Sequence, residues 1–323
     1  MEQGPRQYEL VVFGATGYTG RYTAEHVAAC LPTDVKWAVA GRSEQKLRDL
    51  AAELQTLHPD RVQPAIEVAQ NTKDDLAQLA KKTKVLITTV GPFNLYGTAA
   101  VEACAETGTH YVDCTGEIPW VHDMISKYHD RARQSGAIMI PQSGIESAPP
   151  DLMAWKLASI AREQLGASIN EVVFSINDMN AMPSGGTLAT LLSIFDTYSL
   201  DVMRKSSSPF YLCSSAPPKN PHVRSLAEKL TGVRSVRDLG TLTDSIQGGA
   251  DAPIVYRSWE LYNQSMPYGP SFRFSPYQRS RNALTAFLFH VVFNSAVALM
   301  ALSPVRWLLK RFVYAPGQGP TRE

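Results

Sequence analysis

Seven residues near the amino end carry the clearest chemistry in this chain: Gly14-Ala15-Thr16-Gly17-Tyr18-Thr19-Gly20, a Gly-x-x-Gly-x-x-Gly pattern. Small residues at this spacing let a backbone turn tightly, approach a pyrophosphate, and pack the following helix close to the preceding strand. The helix then offers free amide donors and its positive end to the phosphates. The pattern lies between a strand-like run at 8–13 and a helix-like run at 18–30. That context makes it a dinucleotide fingerprint rather than an ordinary glycine-rich turn. The expected cofactor contacts are Gly14, Thr16, Gly17, Tyr18, Thr19 and Gly20.

The next strand-like run ends Val39-Ala40-Gly41-Arg42-Ser43. NAD enzymes place an acid at this tip to bind ribose hydroxyls, and none is present. Arg42 can pair with a 2′-phosphate, Ser43 can add a hydrogen bond, and Lys46 lies one turn on. NADP(H) is therefore expected over NAD(H). Further along, Thr89-Val90-Gly91-Pro92-Phe93 closes a strong strand. Gly91 permits close backbone approach to the cofactor, and Pro92 fixes the loop. Asp113-Cys114-Thr115-Gly116-Glu117 follows the next strand. Its carboxylates can orient substrate or cofactor, and Asp113 can equally cap a helix. Cys114 reads as a small packed residue, because no positioned base is evident and hydride transfer needs no covalent intermediate.

Positioning these groups requires a sheet. Strand-like runs at 8–13, 35–40, 62–68, 85–90, 110–113 and 137–140 alternate with helix-like runs at 18–30, 44–57, 73–81, 98–106 and 120–134. The alternation predicts an α/β fold whose amino-terminal part is a Rossmann-type doubly wound parallel sheet, covered by helices on both faces. After Ser143 the rhythm changes. A helix is expected at 149–162, a strand at 171–177, a helix from Gly185 to about 199, a Ser/Pro-rich loop at 206–220 and strand-like pieces near 254–261. The expected layout is an NADP-binding domain at 1–143, an α+β substrate or dimerisation domain at 144–281, and an apolar segment at 282–323.

That last segment contains twenty uncharged residues at 283–302, with Arg279 and Arg281 before them and Arg306, Lys310 and Arg311 after. The length matches a bilayer crossing of about 20 residues. His290 and Asn294 oppose crossing, since each is costly in hydrocarbon. Pro304 breaks the helix, and 305–314 resumes as a basic amphipathic stretch. This combination suits a membrane or lipid-droplet surface. The alternative is a helix buried in a domain or dimer core.

The chain has 323 residues, with 31 Lys+Arg against 30 Asp+Glu. A net charge of +1 lacks the basic excess of a generic nucleic-acid binder. Four cysteines, Cys30, Cys104, Cys114 and Cys213, form no Cys-x-x-Cys pair. No zinc or other metal is expected, and a reduced intracellular compartment fits. Residues 1–10 lack the pattern of a secretory or transit signal, and the terminal Thr-Arg-Glu is no familiar address.

Several motifs occur together and in order: the fingerprint; Ala40-Gly41-Arg42-Ser43; Gly91-Pro92-Phe93 with Tyr96-Gly97; Tyr111-Val112-Asp113 with Gly116-Glu117; Ser143-Gly144-Ile145-Glu146-Ser147 with Pro150-Asp151-Leu152; Ser184-Gly185-Gly186-Thr187; Ser258-Trp259; and Pro316-Gly317-Gln318-Gly319-Pro320. As a set, covering nearly the whole chain, they resemble the saccharopine dehydrogenase-like oxidoreductases. The branch they resemble holds the mycobacterial trans-acting enoyl reductases and eukaryotic lipid-droplet-associated homologues. The resemblance implies a Rossmann domain plus an α+β domain, NADP(H), and contact with a membrane or lipid droplet. It implies reduction of a C=C bond in a lipid, polyketide or terpenoid intermediate, in lipid or secondary-metabolite biosynthesis. No catalytic residue carries over. Tyr18, Tyr96, Glu117 and Ser147 are candidate proton donors because their motifs are expected near the cofactor, and each also reads as packing or capping. The rival readings are a saccharopine-type C–N dehydrogenase and a non-catalytic membrane protein with a relic nucleotide site. Family members continue past the Pro-Gly-Gln-Gly-Pro motif, whereas three residues follow it here. The expectation is a shortened paralogue or an incomplete sequence. A homodimer is the default oligomer.

Overall fold

A computed structural model describes residues 5–179, 185–215, 224–262, 268–269, 271–309 and 311, with 185–188 described by backbone alone. The chain divides into two compact units.

The first unit holds residues 1–143 and Met182–Thr197, together with Phe312–Glu323, which lie outside the described residues. Its elements are β1 (Tyr8–Phe13), α1 (Tyr18–Cys30), β2 (Trp37–Gly41), α2 (Glu44–Leu57), β3 (Ala65–Val68), α3 (Lys73–Lys82), β4 (Thr83–Thr88), α4 (Phe93–Tyr96), α5 (Thr98–Thr107), β5 (His110–Asp113), α6 (Ile118–Ser135) and β6 (Met139–Ile140). The six strands are parallel in the order β3-β2-β1-β4-β5-β6. Strand order therefore reverses between β1 and β4, which makes the crevice at their carboxyl ends the ligand position in a doubly wound sheet. Register aligns that edge, with Phe13 opposite both Ala40 and Thr88. Val11, Val12 and Leu86 are wholly buried, as apolar central strands require. Leu47, Leu50 and Leu54 of α2 recur at helical spacing and join Leu10, Val12 and Val39 in one core cluster.

The second unit holds Gly144–Ala181 and Tyr198–Arg311. It follows with α7 (Ala148–Leu165) and β7 (Glu171–Ile176). After these comes α8 (Gly185–Thr197), which belongs to the first unit. The second unit continues with α9 (Leu200–Ser206), α10 (Leu226–Thr231), β8 (Arg234–Val236), β9 (Gly240–Asp244), α11 (Gly248–Leu261), β10 (Arg273–Arg279), α12 (Ala283–Met300) and α13 (Ser303–Leu309). Its sheet runs β7-β10-β9-β8, with β7 and β10 parallel and the other pairs antiparallel.

One sequence expectation changes here. The pieces near 254–261 are helical, not strand, because Ala252, Val255, Tyr256 and Trp259 fall three to four residues apart and all face one core. The apolar 283–302 run forms α12, which clusters with the second unit, followed directly by α13, with Pro304 near the start of α13. The motif at 316–320 and Ser184 lie outside the described residues.

Candidate functional site

The fingerprint forms the turn from β1 into α1. Gly14 has φ +84°, in the left-handed region, and its amide donates to the Ala40 carbonyl at 2.9 Å. A Cβ there would also fall 2.7 Å from Val90 Cγ2 and 2.9 Å from Thr89 Oγ1, so glycine is required twice over. A Cβ on Gly20 would overlap the Gly14 carbonyl oxygen. The helix consequently starts against its own strand, with Gly17 at the N-cap, donating to Gly14 O at 3.0 Å. No side chain caps α1 and no acid lies in its first turn. Its first amides and dipole are available to an anion. Thr16 and Thr19 are exposed on this turn, and Tyr18 packs edge-on against Tyr22 at 5.2 Å.

At the tip of β2, Arg42 and Lys46 are exposed and Ser43 is half-buried. Ser43 occupies the N-cap of α2 without its side chain making a cap hydrogen bond. Arg42 makes no ion pair among the described residues. Thr16 Oγ1 lies 4.0 Å from the point a Gly41 Cβ would occupy, so the phosphate turn and the β2 tip adjoin.

The third wall is the loop after β4. Thr89 Oγ1 lies 3.3 Å from the carbonyls of Phe13 and Gly14, tying this loop to the fingerprint. Gly91 and buried Pro92 then lead into α4. Glu117 is wholly buried, and its carboxylate accepts from Phe93 N at 2.6 Å, Asn94 N at 2.7 Å and Thr190 Oγ1 at 3.4 Å. Burial pushes this carboxyl up to about 7, against the pull of the amide and hydroxyl donors. Asp113 does not cap α6. It accepts from Tyr111 Oη at 2.6 Å, Thr115 N at 3.0 Å and Gln142 N at 2.8 Å. Gln142 is held at φ +59° and is buried.

These features fit a dinucleotide phosphate: a glycine cradle that side chains would fill, an uncapped helix start, and an unpaired arginine where a 2′-phosphate would reach. The saccharopine dehydrogenase NADP binding domain matches residues 10–140. A trans-acting enoyl reductase of Mycobacterium ulcerans is 30% identical over 344 residues, covering 100% of this chain and 79% of its own length. The chain belongs to the saccharopine dehydrogenase-like family. A Mycobacterium tuberculosis protein provisionally named a trans-acting enoyl reductase is 31% identical, across 99% of this chain and 78% of its own length. Saccharopine dehydrogenase from Saccharomyces cerevisiae is a structural neighbour at 16% identity and TM-score 0.42, over 58% of this chain and 41% of that one.

This saccharopine dehydrogenase-like protein is thus an NADP-dependent oxidoreductase. When bound, NADP(H) supplies or accepts the hydride. Residues 14–20, Arg42, Ser43 and Gly91 would hold it, and Pro92 would fix the loop. The four candidate proton donors separate on burial. Tyr18 is half-buried, on the fingerprint itself. Tyr96 is exposed at the end of α4, and its carbonyl accepts from Asn71 Nδ2 at 2.9 Å. Ser147, at the start of α7 in the second unit, is wholly buried, and its hydroxyl has no hydrogen-bond partner among the described residues. Glu117 has its carboxylate occupied by backbone. Sequence reasoning placed the helix from Gly185 in the second domain and so did not connect Thr190, Ser193 and Thr197 with this loop. Only the tertiary structure brings them there. A cavity of about 730 Å³ lined by Leu10, Val85 and His110 lies at the amino ends of the strands, the wrong edge for the cofactor.

Proposed function

We propose that this protein is an NADPH-dependent trans-acting enoyl reductase, which reduces a C=C bond in a lipid, polyketide or terpenoid thioester. The observation that carries the reading is the extent of the likeness. The Mycobacterium ulcerans enzyme aligns with 100% of this chain, through the second unit as well as the nucleotide site. Incubation with NADPH and a series of α,β-unsaturated acyl thioesters tests it. The expected result is NADPH oxidation with a product two hydrogens heavier by mass spectrometry. No oxidation across the series would sink the reading, and saccharopine-dependent reduction of NADP+ would replace it with C–N chemistry.

A lipid surface is the proposed working place. Helix α12 is long and apolar enough to cross a membrane. Two of its polar residues, however, bond to protein: His290 Nδ1 pairs with Asp244, and Asn294 Nδ2 donates to the same carboxylate at 3.3 Å. Leu284, Leu288 and Val292 are exposed, Val292 at 67%. A helix anchored at these two residues that leaves most of its apolar side chains exposed suits contact with a lipid surface. Flotation with phospholipid vesicles is expected to carry the protein upward, and Leu288→Lys with Val292→Lys to leave it at the bottom. A wild-type protein that does not float removes this part of the reading.

A further inference from the structure

Glu117 has a geometry that neither a proton donor nor an ordinary buried acid explains. It sits at the start of α6, yet both its oxygens are spent on another element, with Oε1 on Phe93 N and Oε2 on Asn94 N. Those two amides directly follow the Gly91-Pro92 turn, which is the cofactor's third wall. The same carboxylate takes the Thr190 hydroxyl of α8. Asn94 is in turn bonded by Ser193 Oγ at 3.0 Å and donates to Thr197 Oγ1 at 2.7 Å. The backbone at 93–94 and Thr190 therefore meet on the buried Glu117 carboxylate, and Ser193 and Thr197 join the same cluster through Asn94.

We propose that Glu117 is a positioning residue for the dinucleotide, clamping the Gly91-Pro92 turn through the Phe93 and Asn94 amides and locking α8 onto it. It acts through backbone and does not touch the cofactor. The inference depends on the NADP(H) site, not on the identity of the substrate, so an absence of enoyl reduction leaves it intact.

The clamp requires an acceptor at both oxygens. Glutamine offers one acceptor and turns an NH2 donor toward an amide donor. Glu117→Gln is therefore expected to weaken NADPH binding about tenfold or more, as loss of a hydrogen bond to a charged group does. Glu117→Asp, which keeps the charge, should recover part of the affinity. Asp113 is the charged neighbour of Glu117, and the facing groups from α4 and α8 are uncharged amides and a hydroxyl. Wild-type NADPH affinity should fall as pH drops through about 7. The Gln variant should show only the ligand phosphate's own titration. Both are read by fluorescence titration of the purified full chain, with folding checked by circular dichroism. A folded Glu117→Gln protein with wild-type affinity and pH profile overturns the proposal. If that variant does not fold, Thr190→Val with Ser193→Ala and Thr197→Val leaves the amide clamp in place and removes the side-chain ties to α8. About two- to threefold weaker NADPH binding is then expected, and unchanged affinity overturns the proposal.

Discussion

Arg42 is one charge on an exposed strand tip, and it is the residue proposed to select NADP(H). Its guanidinium is not committed to any acid among the described residues. Pairing with a 2′-phosphate therefore breaks no existing contact. Arg42→Ala should weaken NADPH binding about ten- to a hundredfold and leave NADH binding unchanged. Parallel titrations check this, and equal losses for both nucleotides would remove the assignment. A second single-residue effect lies in the other unit. Asp251 is wholly buried, neither carboxylate oxygen has a hydrogen-bond partner among the described residues, and burial, with Glu146 nearby, pushes its carboxyl up to about 8. The folded protein thus keeps a proton that the unfolded chain releases at its ordinary value of 3.8. Stability from this group is full below that value and is lost as pH rises toward about 8. Asp251→Asn should match wild type near pH 4 and exceed its stability by roughly 2 kcal/mol or more above pH 8. Urea unfolding across pH reads the difference, and parallel curves at all pH values would refute it.

At the level of elements, α12 shows how polar residues inside an apolar run can specify a docking side. Asn282 and Thr285 form a reciprocal capping box that starts the helix. His290 and Asn294, one turn apart, both reach Asp244 on β9, where Arg224 also bonds at 2.5 Å. Burial alone would raise the Asp244 carboxyl, but Arg224 and His290 outweigh it and hold it below its ordinary value. His290→Leu makes the helix more apolar, yet it should destabilise the second unit by about 1–2 kcal/mol, because Asp244 loses a hydrogen-bond partner in a partly buried place. A urea midpoint equal to wild type would contradict the anchor. Helix α11 carries a different lesson. Val255 and Tyr256 suit strands, but the three-to-four spacing of its buried residues outweighs that local preference once a core exists to receive them.

Across the whole molecule, the cofactor site is assembled from one unit, and the first unit takes one helix, α8, from the middle of the other's sequence. NADPH should therefore protect amides at 14–20, 91–94 and 190–197 together in hydrogen exchange. At a hundredfold excess over Kd it should add about 2.7 kcal/mol to the stability of the folded form. Protection confined to the fingerprint would mean that α8 is not coupled to the site. The sheet, its crevice, the fingerprint and the choice of NADP(H) were legible in sequence, because each depends on short-range pattern: alternating periods, glycines where a Cβ cannot fit, and an arginine where an acid would select NAD. The strand edges moved by a few residues, since pairing register trims them; the strand expected at 62–68 is Ala65–Val68. Only the tertiary structure decided the contacts of Glu117, the placement of α8 and the orientation of His290. Each of these depends on a contact between groups far apart in sequence, 73 residues for Glu117 with Thr190 and 46 for Asp244 with His290. Local residue pattern carries no record of such a meeting, because chain folding alone brings the two groups together and burial alone gives the contact its strength.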